Sequence, residues 1–345
     1  MTSETKFGPA IAGALIAVGL TVPAHAQDTT TLKYATHMPP THFQIANGDT
    51  VLMDRATALS DGAIEFEFYP AEQAGKALQL FDLVRNGVVD IADIATANIS
   101  IDKVPLLGVW EMPGLVDTPC QGAAAIRALS TDDGLLAKDS FGPQGVRVLS
   151  VWSFPSYGPA VSRQPIESVE DMRGLKIRNA GGAMEFSMES LGAISVKMPS
   201  PEIFQSLQRS TLDAVMFSFL GAKQLDLQSI AEYGASGYSF GSPGVISIMS
   251  ESKFQSLPPE QQKALVDAGL EAENNFCSFV EENEASALDA LREEGLKVHI
   301  WTDEQKAQLD ETLAGVSKQW ADNLDARGKP GSEVLETFTN LLAEN

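Results

Sequence analysis

From residue 27 onward the chain alternates between strand-like and helix-like runs. TLKYATH (Thr31–His37) reads as a strand ending in a Pro39-Pro40 loop, and a helical pattern follows through Phe43–Leu59 until Ser60-Asp61-Gly62 stops it. AIEFEFYP alternates with a period of two, the pattern of a half-buried strand, and Pro70 closes it. KALQLFDLVRNG predicts a helix with Gly87 as its C-terminal stop, and VVDIADIA predicts the next strand. Further on, Ser168 opens SVEDMRG with Asp171 three residues later, a capping-box-like pair; Gly174 ends it and LKIRN is the strand it delivers. Strands and helices taking turns in this way predict an α/β fold.

The pattern also echoes itself. LFDLVRNGVVDIADI (Leu80–Ile94) aligns without gaps to IFQSLQRSTLDAVMF (Ile203–Phe217), pairing Asp90 with Asp213. In each copy a short amphipathic helix leads through a turn into a strand. Two similar α/β units facing one another would create a cleft at the carboxyl ends of their strands. The two aspartates read as turn caps rather than ligand contacts. Near the end, Pro258–Gly295 is helical throughout, with Pro at its start and Gly at its stop. At about 1.5 Å per residue it would reach roughly 50 Å, enough to cross both units. LKVHIW then predicts a strand, and Thr302 caps a final amphipathic helix through Gly328.

Composition narrows the setting. Residues 1–26 run from a short polar start through the uncharged Phe7–Val22 to Pro23-Ala24-His25-Ala26, the order of a secretory signal peptide. A membrane anchor is the competing reading, but the apolar run is short of the roughly 20 residues that span a bilayer. Export to the periplasm is therefore expected. A formal charge of −22 makes nucleic acid and anionic membrane poor partners. Cys120 and Cys277 lie far apart in sequence with no metal spacing around either. An oxidising compartment permits a bridge, yet the reading favoured is two unpaired, mostly buried thiols.

One residue raises a chemical question. GLKIRNAGG (Gly174–Gly182) places Arg178 where a buried strand meets a glycine loop. Burying a guanidinium is expensive unless an anion meets it. That anion is either a protein acid such as Glu185 or something arriving from outside.

Several blocks in order resemble one family. LKYATHMPPTHF, FYPAEQAGKALQLFDLVRNGVVDIADI, IESVEDMRGLKIRN and MESLGAISVKMPSPEIFQSLQRSTLDAV are similar to the periplasmic solute-binding proteins of tripartite ATP-independent periplasmic (TRAP) transporters, the DctP-like family. The resemblance implies two α/β lobes of periplasmic-binding-protein architecture, with hinge strands and a long helix spanning both. Lobe I would be residues 27–150 plus about 242–280, and lobe II residues 151–241 plus about 281–345. It implies a binding protein rather than an enzyme, and the residues themselves offer no cofactor motif and no metal-ligand spacing. Its partners would be a small organic acid and the membrane subunits of the transporter, with the protein itself a monomer. It also implies that Arg178 forms a bidentate salt bridge with the ligand carboxylate, which suits its planar fork of donors.

The departures from the family pattern point to the ligand. Phe217 stands where a polar Asn often touches the carboxylate, and Phe219, two residues on, shares its face if both lie on a strand. VWSFPSYG supplies Trp152, Phe154 and Tyr157, and lacks the second Arg sometimes found near Tyr157. His37, His42, Asn98 and Asn179 lie at strand-end loops as polar contacts. One anionic anchor among rings predicts a monocarboxylate with an aromatic or apolar body. A diacid would need a further cation, such as Lys197 or Arg163 turned inward. The competing class is a secreted hydrolase using Ser239 in Gly237-Tyr238-Ser239-Phe240-Gly241, which requires a helix after the serine. A carboxylate-sensing receptor of the same fold is a further alternative.

Overall fold

The computed structural model describes residues 1–2, 4, 29–100 and 102–344. The expected export segment and its cleavage point lie outside the described residues. Three strands open the first sheet: β1 (Thr30–Thr36), β2 (Ile64–Tyr69) and β3 (Ile91–Ala95), with α1 (Thr50–Leu59) and α2 (Leu80–Arg85) between them. After α3 (Pro119–Ser130), β4 (Val146–Ser153) completes its far edge. The second sheet is built from β5 (Gly158–Ser162), β6 (Lys176–Asn179), α4 (Met184–Ser190), β7 (Ile194–Lys197), α5 (Ile203–Gln208), β8 (Ala214–Phe217), α6 (Phe219–Gln224) and β9 (Tyr233–Ser236). The chain then returns through β10 (Gly244–Ser250) and α7 (Glu251–Gln255) to α8 (Pro259–Glu293). It ends with β11 (Lys297–Ile300), α9 (Asp303–Leu313), α10 (Val316–Asp325) and α11 (Gly331–Glu344).

The strand order is β2-β1-β3-β10-β4 in one sheet and β11-β9-β5-β8-β6-β7 in the other. The orders match: β1 pairs in parallel with β2 and β3, as β6 does with β7 and β8, and an antiparallel strand from the other half of the chain (β10 or β5) lies next. The sequence echo is therefore structural, down to its aspartates. Asp90 accepts the backbone N–H of Lys33 at 2.8 Å and returns its own to the Lys33 carbonyl; Asp213 does the same with Lys176. Each side chain locks the first residues of a strand to its neighbour, the turn-capping role expected. Gly87 and Ser210, equivalent in the echo, both take left-handed φ, 70° and 59°. Serine accepts a strained conformation there that glycine adopts freely.

The two sheets make a two-lobed α/β fold. The chain crosses between lobes at residues 154–157 and 237–243, and the crossings bond to each other. Phe154 and Tyr157 donate to the Pro243 and Gly241 carbonyls, and Phe240 donates to that of Tyr157. The long helix α8 runs 35 residues, about 52 Å at the usual rise. Its first half lays Ala264, Leu265, Ala268, Ala272 and Phe276 against α1 and β4. Close approach requires Gly269, where a Cβ would sit 2.1 Å from the Leu149 carbonyl oxygen. Its second half reaches the other lobe: Glu284 accepts the Phe219 and Leu220 N–H groups at the start of α6.

Two expectations are corrected. The single final helix through Gly328 is divided: α9 and α10 are separate, and α11 follows Pro330 and packs on α3. Thr302 does cap α9, reciprocally with Gln305. The thiols are not free. Cys120 on α3 and Cys277 on α8 are joined in a disulfide, with Cα atoms 4.9 Å apart. No local motif could reveal it, because the pairing depends on α3 packing against the middle of α8.

That bridge closes a loop of 157 residues. Removing it with Cys120→Ser/Cys277→Ser is expected to lower stability by roughly 2–5 kcal/mol, by releasing the unfolded chain. Calorimetry of the oxidised, reduced and double-variant protein measures this; equal melting temperatures would mean the helices hold without it.

Candidate functional site

Between the lobes lies a cavity of about 600 Å³. Its walls come from the carboxyl ends of β1, β3, β6, β7 and β8. That is where ligands enter open α/β sheets, because loops diverge there and backbone groups are left free. His37, His42 and Phe43 follow β1, and Thr96 and Asn98 follow β3. The second lobe contributes Tyr157, Arg178, Lys197, Met198, Phe217 and Ser218, with Phe154 at the crossing.

Arg178 sits at the end of β6, where strand alternation turns it into the cavity. It is 2 % exposed. Its Nε donates to the Met198 carbonyl at 3.0 Å and its Nη1 to the Met216 carbonyl at 3.1 Å. Among the described residues no carboxylate forms a salt bridge with it, Glu185 included. Burial holds its pKa below the ordinary arginine value, while the neighbouring Tyr157 hydroxyl pulls it back up. The Tyr157 phenol is pushed up, first by burial, and Arg178 partly counters that. The Phe217 ring lies 5.2 Å from the guanidinium carbon and meets Tyr157 edge-on, also at 5.2 Å. The ring's position depends on Gly221, where a Cβ would come within 2.4 Å of it.

Of the residues expected at the site, Arg178, Phe217, Phe154, Tyr157, His37, His42 and Asn98 line this cavity. Three do not. Asn179 alternates to the opposite side of β6, where it donates to Ser195 and accepts the Gly181 N–H, closing the glycine loop. Trp152 faces α8 from β4, fully buried and edge-on to Phe276 at 5.6 Å. Phe219 does not share a face with Phe217: β8 ends there, Ser218 caps α6, and the change of direction breaks the period of two. Phe219 instead borders a second cavity with Ser239 and Glu284. Ser239 is followed by β10 and not by a helix, so the nucleophile-elbow geometry is absent. Of the two possible extra cations, Lys197 lines the main cavity, whereas Arg163 donates to the Leu207 carbonyl elsewhere.

Sequence reasoning missed Lys76, Ala77 and Leu78, and Pro199, Ser200 and Pro201, all in the cavity wall. The signal was there. These triplets are equivalent in the internal echo, three residues upstream of where it becomes obvious, and both lead into short 3₁₀ turns.

Glu111 was also unforeseen. It is 2 % exposed and accepts from Thr96 Oγ1 and from the Ala183 N–H, both at 2.6 Å. It thus ties the loop after β3 to the loop after β6, one from each lobe. Gly182, at φ 66°, leaves room for it: a Cβ would lie 2.1 Å from the carboxylate. Burial pushes its pKa up to about 6, against the pull of both hydrogen bonds and Lys197. Among the described residues no three His, Cys, Asp or Glu side chains gather as a metal site, and no helix is long and apolar enough to cross a membrane.

Comparison with known proteins places this geometry. The model of the DctP family, bacterial extracellular solute-binding protein family 7, matches residues 35–323. The chain belongs to that family. It is 27 % identical over 247 residues to the 2,3-diketo-L-gulonate-binding periplasmic protein YiaO of Escherichia coli, covering 69 % of this chain and 71 % of that one. A TRAP solute-binding protein from Rhodoferax ferrireducens, holding copurified benzoate, superposes with a TM-score of 0.80 at 23 % identity, covering 92 % of this chain and 98 % of the other. A marine metagenome TRAP solute-binding protein from an unidentified microbe, specific for aromatic acids and holding 3-hydroxybenzoate, gives 0.81 at 23 % identity, with 92 % and 98 % covered. The two-lobed fold expected from the sequence is thus the fold of TRAP solute-binding proteins.

The buried Glu111 has a signed consequence. Because the folded state raises its pKa from 4.5 to about 6, the fold binds its proton more tightly, and stability falls as pH rises through that interval. One pKa unit corresponds to about 1.4 kcal/mol, so the loss approaches roughly 2 kcal/mol. Glu111→Gln removes it. Denaturation at pH 4.5 and pH 7 should show wild type losing ground to the variant by about that amount; a pH-independent difference would refute the assignment.

Proposed function

We propose that this protein captures a small monocarboxylate with an aromatic or apolar body between its lobes and delivers it to the membrane subunits of a TRAP transporter from the periplasm. The observation that carries this reading is Arg178. A buried guanidinium with two neutral carbonyl partners and, among the described residues, no bridging acid is a standing electrostatic deficit. A carboxylate arriving through the cleft cancels it with charge-assisted hydrogen bonds. Membership of the family supports the transporter partnership. The lobes of about 27–150 plus 242–280, and 151–241 plus 281–345, would close over the ligand about the two crossings.

The rest of the wall supports an apolar body. Phe217, Phe154, Phe43, Met38 and Met198 line the same cavity as the anchor, and each buried CH₂ group contributes about 0.8 kcal/mol. The solved proteins that hold benzoate and 3-hydroxybenzoate point the same way. YiaO is named for a polar sugar acid, so the family alone does not decide the ligand. Lys197 is the one described cation besides Arg178 and Lys76 in the wall. It is exposed, and its stem packs beside Gly181.

Arg178→Ala is expected to fold normally and lose roughly 2–5 kcal/mol of affinity for benzoate or mandelate, and Arg178→Lys to lose much of it as well. Calorimetric titration measures both. In a thermal-shift screen these monoacids should stabilise wild type more than succinate, malate or a hexuronate; the reverse order would sink the apolar-body reading. A further expectation is a smaller radius of gyration in X-ray scattering at saturating ligand, as lobes close. An unchanged profile would argue against hinging.

A further inference from the structure

The Glu111 carboxylate is a point where three moving parts of the molecule meet. It ends the 3₁₀ turn Pro105–Glu111. Its Oε1 accepts from Thr96, a residue of the cavity wall after β3, and its Oε2 accepts the N–H of Ala183, just before α4 of the other lobe. Its own backbone carbonyl lies against Gly241 of the crossing, where a Cβ would come within 2.4 Å of that oxygen. Both side-chain bonds measure 2.6 Å, and the Gly182 backbone closes in beside them. The arrangement has no slack. A change in the angle between the lobes lengthens one bond or the other and lets water reach the carboxyl.

The titratable and charged groups that face it are Lys197 from β7, Glu185 from α4 and Tyr157 from the crossing. From α10 the turn meets the uncharged Trp320, beside Gly108. Burial is the largest influence and holds the carboxyl at about 6 with the lobes joined. With the lobes parted, the group returns toward its ordinary 4.5. Protonation also changes the bond to the cavity wall. A proton on Oε1 makes Glu111 the donor and Thr96 the acceptor, which frees the threonine's own hydrogen for another partner.

We propose that Glu111 is a positioning residue that couples closure of the lobes to uptake of a proton, so that ligand capture is itself pH-linked. The proposal rests on the reading that a carboxylate is captured by lobe closure, and adds the regulation of that step. The closed arrangement holds the proton more tightly than the open one. Its advantage is therefore complete below about 4.5 and is lost as pH rises through about 6. By reciprocity, ligand binding draws in a fraction of a proton within that interval. His37 and His42 also line the cavity, but burial lowers both, His42 to about 4, so neither substitutes for Glu111.

The probe is benzoate, titrated calorimetrically from about pH 5 to about pH 7.5, where its carboxylate stays ionised. Wild type should bind it roughly tenfold more weakly at the upper end. Titration near pH 6 in two buffers of different ionisation enthalpy should show uptake of about half a proton. Glu111→Gln should flatten the profile and abolish the uptake. Thr96→Val should move the profile to higher pH, because the threonine's hydrogen bond pulls the carboxyl's pKa down. A residue that merely supported the fold would move neither. Circular dichroism confirms folding, and if Glu111→Gln does not fold, Thr96→Val alone decides. Wild-type affinity that is level across the range, or a profile that survives Glu111→Gln or is unmoved in Thr96→Val, refutes the linkage while the carboxylate reading stands. If benzoate fails and succinate binds, the apolar-body reading falls. The profile is then measured with succinate, whose own titration cancels between wild type and Glu111→Gln. If neither acid binds at any pH, both readings fall together.

Discussion

A guanidinium buried with no carboxylate salt-bridged to it among the described residues is the constraint around which the cleft is organised. Arg178 could have been paired with an acid of its own lobe, Glu185 for instance, and is not. Two carbonyls, from the residue after β7 and from β8, hold its direction without cancelling its charge. Phe217 sits beside it and Tyr157 adds a phenol. These groups orient the donors, and none of them carries an opposing charge. The arrangement reaches further than the first contacts. Phe217 needs Gly221 behind it, Gly221 needs Ser218 as the cap of α6, and α6 is anchored by Glu284 of the long helix. The anchor's geometry is thereby tied to the element that spans both lobes.

The lobes are near-copies in topology and unlike in chemistry. Each offers a short turn and a strand end to the cleft, and Asp90 and Asp213 fasten equivalent strand pairs in the same way. The second lobe supplies the permanent charge. The first supplies uncharged imidazoles and aromatic rings. Glu111 already bridges the lobes by hydrogen bonds at the edge of this region.

Acidic groups in the core form a second theme. Asp49 and Asp93 are wholly buried and joined through Gln44, with Tyr34 donating to Asp93 at 2.7 Å. Burial, and then the charge of Asp93, push the Asp49 carboxyl well above the usual range. Glu273 is likewise raised by burial even though Arg127 clasps it and the Val151 N–H bonds to it. In a chain of net charge −22 the surface carries most of the acid. These few interior carboxyls instead bind elements together by accepting from backbone and side-chain donors that would otherwise be unpaired.

Local pattern determined much of this protein. Strand and helix order, the 35-residue helix and the turn-capping aspartates follow from hydrophobic period and stop signals, which act over a few residues. Arg178 stood out for the same reason, as a charge at the end of a buried strand. Strand parity was also in the sequence: successive residues point to opposite faces, so Arg178 in the cavity means Asn179 out of it. Other features required the tertiary structure. Trp152 is core because α8 covers that face of β4, and nothing local says so. Phe219 leaves the site because a capping serine turns the chain. Cys120 meets Cys277 only because α3 docks on α8. Glu111 lies between lobes that no short-range signal brings together. Each of these depends on contacts between segments far apart in the chain, where a residue's neighbours, and hence its burial and charge, are decided by packing.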